Sequence, residues 1–119
     1  MKRLLITGSR HTADMKSIEH RLSHEFQAHP DAILVHGGQM GADTIAGYVW
    51  TEFGGEVEVH DADWERYGKA AGNIRNQEMV ELGAYLCLAF PMKQSTGTFD
   101  CIRRAENAGI PVQTILLGH

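Results

Sequence analysis

Arg3-Leu4-Leu5-Ile6-Thr7-Gly8-Ser9-Arg10 is an apolar run of strand length that stops at a glycine, a small hydroxyl residue and a base. Apolar runs short enough for buried strands recur at residues 32–36, 57–60, 85–90 and 112–117, each separated from the last by a helix-length segment. That alternation is the pattern of βαβ units. The first run stops at Ile6, too early for the apolar stretch of a signal peptide, so it reads as a strand. No other segment has the length and apolarity expected of a membrane span.

The intervening segments carry helical stripes. Met15, Ile18, Leu22 and Phe26 fall at spacings of three or four, as do Ile45, Val49 and Phe53, and these faces are expected to cover the sheet. Stop signals follow at His29-Pro30-Asp31, at Gly54-Gly55, and at Gly109 ahead of Pro111. A third helix is expected over residues 69–82, with Gly72 in its first turn at a cost of about 1 kcal/mol relative to alanine. A fourth is expected over residues 98–108, carrying Phe99, Ile102 and Ala105 inward. Crossovers between parallel strands are right-handed, so five strands and four helices predict an α/β, Rossmann-like, doubly wound five-stranded parallel sheet. The expected order is 3-2-1-4-5 with helices on both faces, in one domain over residues 1–119. Ligands of such sheets sit beyond the carboxyl ends of the strands where the winding reverses, here between strands one and four.

Composition narrows the function. A hydrophobic content of 43% and a charged content of 22% suit a globular domain, and 15 acidic against 11 basic residues argue against a nucleic-acid partner. Cys87 and Cys101 lack the spacing of a zinc knuckle or a redox pair, which points to a reducing cytoplasm and to packing roles. The seven histidines are scattered, and His119 alone is no tag. His36, His60, Asp61 and Asp63 fall at adjacent strand ends, yet their spacing matches no zinc motif, so no metal site is expected.

The predicted loops hold the unusual residues. Gly8-Ser9-Arg10 follows strand one, His36-Gly37-Gly38-Gln39-Met40-Gly41-Ala42-Asp43 follows strand two, Asp61-Ala62-Asp63-Trp64 follows strand three, and residues 91–98 follow strand four. Glycines there let a ligand approach the backbone, and free amides at helix starts attract phosphate. Gly37-Gly38 with Gly41, and Gly97 with Thr98, are two such candidate sockets. Neither G-x-G-x-x-G nor G-x-x-x-x-G-K-[ST] is present, which excludes an ordinary dehydrogenase or P-loop NTPase. Ser9 is not in a G-x-S-x-G elbow either.

The ordered set Ile6-Thr7-Gly8-Ser9-Arg10, His36-Gly37-Gly38 with Gly41-Ala42-Asp43, Ala62-Asp63-Trp64 with Tyr67 to Gly72, Arg75-Asn76 with Met79, and Phe90-Pro91 with Gly97-Thr98 covers nearly the whole chain. It resembles the YspA-type, YpsA-related branch of the SLOG superfamily, which also includes the Lonely Guy phosphoribohydrolases and the DNA-processing protein DprA. The resemblance implies a Rossmann-like fold and recognition of nucleotides or derivatives such as ADP-ribose and NAD. The Arg-Lys-x-x-Met segment of Lonely Guy enzymes is similar to Arg75-Asn76-Gln77-Glu78-Met79, which implies Arg75 over the ligand phosphate or ribose. Their Pro-Gly-Gly-x-Gly-Thr-x-x-Glu segment is matched only by Pro91, Gly97 and Thr98. Met92 and Lys93 replace the glycine pair, and Cys101 stands where the catalytic glutamate would be.

Arg10 and Arg75 are the residues expected on a phosphate, since guanidinium suits a bidentate oxyanion contact. Asp43 reads first as a cap or dipole partner of its helix. Trp64 reads either as a base-stacking platform or as a plug at the sheet edge, and Asn76 as a ribose contact or a helix stabiliser. The first functional reading is a sensor or binding module whose small-molecule nucleotide ligand meets Gly8, Ser9, Arg10, His36, Gly37, Gly38, Gly41, Asp43, Trp64, Arg75, Asn76, Pro91, Gly97 and Thr98, with no cofactor required. An alternative is a hydrolase cleaving an N-glycosidic bond with Asp100 or Asp43 as acid or base. A second alternative is a DNA-processing accessory role. Relatives of the fold commonly pair, which makes a homodimer an option.

Overall fold

Five apolar runs become five strands: β1 (Arg3–Gly8), β2 (Ile33–His36), β3 (Glu56–Val59), β4 (Leu86–Phe90) and β5 (Val112–Thr114). A computed structural model describes residues 2–117; Met1, Gly118 and His119 lie outside the described residues. All neighbours pair in parallel in the order β3-β2-β1-β4-β5, as expected, with Leu5 of β1 opposite Val35 of β2 and Cys87 of β4. Helices α1 (Met15–Ala28), α2 (Ala42–Glu52), α3 (Trp64–Tyr67), α4 (Ala71–Glu81) and α5 (Thr96–Asn107) lie between them.

Alternation along β1 divides the core. Leu4 and Ile6 point to one face, where they pack with Ile18 and Leu22 of α1 and with Ala46, Val49 and Trp50 of α2. Leu5 points to the other, with Met79 and Val80 of α4 and Cys101 and Ala105 of α5. Burying a central strand on both faces removes the need for polar positions in it, hence the unbroken apolar run. Trp50, fully buried, spends its indole N–H on the Ala32 carbonyl at 3.1 Å.

Four expectations shift. The segment expected as one helix over residues 69–82 is the end of a 3₁₀ turn at Gly68–Ala70 followed by α4, and the stretch after β3 expected as a loop holds the short helix α3. Asp63 starts α3 by accepting from the Arg66 amide, and Gly68 at a φ of 57° ends it, while Gly72 lies in the first turn of α4 as expected. Phe99 is 46% exposed, because the buried stripe of α5 runs through Thr98, Cys101 and Ala105 and not through Phe99 and Ile102; α5 also begins two residues earlier than expected. Met15, at the first position of α1, is 42% exposed and does not reach the sheet. Regular β5 ends at Thr114, although Ile115 and Leu117 still donate main-chain bonds to Ala89 and Pro91.

The carboxyl end of β1 is stitched on both sides. Ser9 N donates to the Phe90 carbonyl at 2.9 Å, and Ala42 N donates to the Ser9 carbonyl at 2.9 Å. A side chain at Gly8 would collide with the Ala42 methyl and lie 2.9 Å from the Phe90 oxygen, so only glycine lets α2 and β4 approach β1 this closely. Gly8→Ala is therefore expected to cost about 2 kcal/mol, within the usual range for overpacking. The midpoint of urea unfolding should fall at an unchanged slope, and an unshifted midpoint would refute the close-approach argument.

Candidate functional site

The loops after β1 and β4 diverge at the point where the winding reverses, and between them opens a cleft of about 270 Å³. Gly8, Ser9 and Arg10 form one wall and residues 92–98 the other, with Gln39 at the end. The far wall is the start of α5. Ser95 occupies its N-cap position but makes no capping bond, because its hydroxyl oxygen instead accepts from the Met92 amide at 2.9 Å. The first-turn amides of Gly97 and Thr98 therefore lack a capping acceptor, and the positive end of the helix dipole stands behind them. Arg10 and Lys93, both exposed, place cations at the rim. Gln94 adopts a φ of 68°, a left-handed conformation that costs a non-glycine residue about 1–2 kcal/mol.

The middle loop behaves differently. The Gly37 amide donates to Asp43 Oδ2 at 3.0 Å, the Gln39 amide approaches the same oxygen at 3.4 Å, and the Gly38 amide donates to His36 Nδ1 at 2.9 Å. The loop's own side chains thus satisfy the amides expected to grip a phosphate. Burial pushes the Asp43 carboxyl up to about 6 against the opposing pull of those amides and of the Arg75 charge, and its Oδ1 is buried with no partner. His36 is pushed down, chiefly by burial and further by Arg75 and His60, with Asp61 pulling the other way. A neutral ring with the proton on Nε2 is the form that accepts from Gly38.

Arg75 lies 5% exposed beneath this loop and does not line the cleft. It donates through Nη1 to the Gly37 carbonyl and through Nε to Asn76 Oδ1 at 3.0 Å. Asn76 in turn donates to the Gly97 carbonyl at 3.3 Å and to Asp100 Oδ2 at 3.1 Å. Asp100 also accepts from Arg103 and Arg104, each at 2.8 Å. The relay ties α4 to the loop after β2 and to the first turn of α5. Arg75 and Asn76 hold the site's walls in place.

Neither carboxylate candidate for acid–base work reaches the cleft. Burial raises the Asp100 carboxyl, but hydrogen bonds from Arg104 and Asn76 and the charges of both arginines outweigh it and leave a carboxylate held ionised below its ordinary range. Asp43 is 6% exposed behind the loop. Cys101 is fully buried, and its hydrogen bond to Cys87, with burial, pushes the Cys87 thiol far up. Pro91 closes the end of the core and Gly41, at a φ of 80°, packs against the Ser9 carbonyl. Trp64, 52% exposed, borders a second cavity of about 310 Å³ with Arg10, Gly38, Gln39 and Met40. That cavity shares Arg10 and Gln39 with the cleft. Sequence reasoning passed over Gln39, Lys93 and Ser95; the serine ahead of a helix was the available signal. Among the described residues no group of three metal-type side chains converges, and no helix is long and apolar enough to cross a membrane.

The family model for the YspA, cpYpsA-related SLOG family matches residues 2–67, more than half of the chain. The chain belongs to this family. A relative of this SLOG-family chain, the gene 61 protein of Mycobacterium phage D29, is 48% identical over 118 residues, covering 94% of each chain. Among solved structures, DNA processing protein A of Streptococcus pneumoniae superposes with a TM-score of 0.74 at 18% identity, over 100% of this chain and 51% of its own. DNA processing protein A of Helicobacter pylori, described for its unique single-stranded DNA binding mode, gives 0.67 at 20% identity, over 95% of this chain and 64% of its own. This chain therefore spans about half to two-thirds of those structures, and at such identities the likeness shows the fold. It also corrects one expectation. Acidic net charge gives no ground for setting nucleic acid aside when a protein sharing this fold binds single-stranded DNA; a whole-chain charge of −4 does not describe a cleft rimmed by Arg10 and Lys93.

Two predictions follow from the buried polar groups. Asp43 has a folded pKa raised above its unfolded value, so its contribution to stability is fully present below about pH 4 and lost as pH rises through about 6. Over that window wild-type stability should fall by about 3 kcal/mol relative to Asp43→Asn, which keeps an acceptor for Gly37; parallel melting curves across pH 4–7 would refute the assignment. Arg75→Ala should cost about 3 kcal/mol or more by leaving the Gly37 carbonyl and Asn76 unpaired, whereas Arg10→Ala should leave the melting temperature nearly unchanged.

Proposed function

We propose that the cleft binds a phosphate-bearing nucleotide, its anionic group on the first turn of α5 and its base towards Trp64. The observation that carries this is Gly97. It sits in the first turn of α5, where glycine costs about 1 kcal/mol relative to alanine, at a negative φ, and an added Cβ would meet nothing within 4 Å. Packing makes no demand for glycine there. An anion lying against the Gly97 and Thr98 amides would make that demand, since a methyl group would stand between ligand and backbone. The uncapped helix start, Arg10 and Lys93 supply the complementary charge.

A second reading, a phosphate within single-stranded DNA, uses the same donors and is favoured by the likeness to DNA processing protein A. The N-glycosidic hydrolase reading lacks a free carboxylate at the cleft.

Thermal melts with AMP, ADP-ribose, NAD and a short single-stranded oligonucleotide test the proposal; saturation at 100 times Kd should raise stability by about 2.7 kcal/mol. Gly97→Ala should leave the unliganded protein as stable as the wild type or slightly more so, yet lower affinity about tenfold, and Arg10→Ala should weaken binding similarly. A panel without any shift, or full affinity in Gly97→Ala, would defeat the proposal.

A further inference from the structure

Next to the first turn of α5 lies a cavity of about 450 Å³ that shares Thr96 and Gly97 with the cleft. Its other borders are Asn73 of α4 and Phe99, Asp100 and Arg103 of α5. Phe99 is 46% exposed although it lies on a helix with a well-formed buried stripe, and it stands two residues from Gly97. Arg103, one turn further along, keeps a side chain that is 64% exposed while one guanidinium nitrogen is held by Asp100 Oδ1 at 2.8 Å. Asp100 is already committed to Asn76, Arg103 and Arg104, so its charge is offset within the protein. An exposed phenyl ring, an anchored guanidinium and the Asn73 side-chain amide suit a flat heterocycle with polar edges.

The anion socket thus borders two further cavities, one sharing Arg10 and Gln39 with it and carrying the exposed ring of Trp64, the other sharing Thr96 and Gly97 and carrying the exposed ring of Phe99. We infer that the site takes a ligand with two nucleobases joined through phosphate, the second base lying at Phe99, Asn73 and Arg103. The inference rests on the anion-socket reading and specifies the ligand class. The same chemistry is available from a free dinucleotide or from a single strand of nucleic acid.

Isothermal titration of the whole chain with AMP, diadenosine 5′-pyrophosphate and a single-stranded tetradeoxyadenylate separates these. One of the two-base probes should bind about tenfold or more tightly than AMP, as expected for one added base–aromatic stack. Phe99→Ala should bring that affinity ratio close to one, and Phe99→Trp, which keeps a ring, should restore it; the melting temperature of each variant reports folding separately. The pyrophosphate passing alone identifies a free dinucleotide, and the oligonucleotide passing alone identifies a strand. A ratio near one in the wild type, or one unchanged in Phe99→Ala, overturns the second subsite while AMP binding still upholds the socket. Loss of all binding overturns both.

Discussion

The end of β1 is where the structure is most tightly constrained. Its last residue, Gly8, lies so close to the Ala42 methyl and the Phe90 carbonyl that a side chain is excluded, and the next residue, Ser9, uses both its main-chain groups to join the loops on either side. Main-chain hydrogen bonds are short and directional, so this stitch fixes the separation of three loops to within a fraction of an ångström. The cleft exists because the loops after β1 and β4 leave that point in opposite directions. The geometry of the site is thus inherited from the sheet.

A second set of contacts holds the cleft's walls from behind. Arg75 is a buried cation with its nitrogens bonded to the Gly37 carbonyl and Asn76, and its charge lowers the pKa of both Asp43 and His36. Burying a charge is costly unless it is offset, and here two of the guanidinium nitrogens are bonded within the protein while its charge is felt at buried Asp43. The consequence is a division of labour between arginines. Arg75 spends its donors on the fold, and exposed Arg10 keeps its own for the cleft.

Much of the fold was legible in the chain. Short runs separated by striped segments predicted five strands, their order and helices on both faces; burial on both sides makes β1, β2 and β4 apolar blocks, while β3 and β5 at the sheet edges are half exposed. The misplaced elements were those where local chemistry competes with pattern. Asp63 and Gly68 bound a short helix in what reads as the loop after β3, and the buried stripe of α5 runs through Thr98 and Cys101 and leaves Phe99 at the surface. The site was legible as a set of loops, but not in the role of each donor.

The sequence by itself determined that glycine-bearing loops would meet at the carboxyl edge of a parallel sheet, since apolar spacing and glycine placement act over a few residues. Only the tertiary structure decided which groups there remain free. The partners that occupy Arg75 and Asn76 lie 38, 21 and 24 residues away, and the acceptor that diverts Ser95 from capping depends on how the loop after β4 closes. A hydrogen-bond donor can be spent once, and where it is spent is settled by which distant segments the fold brings within about 3 Å of it.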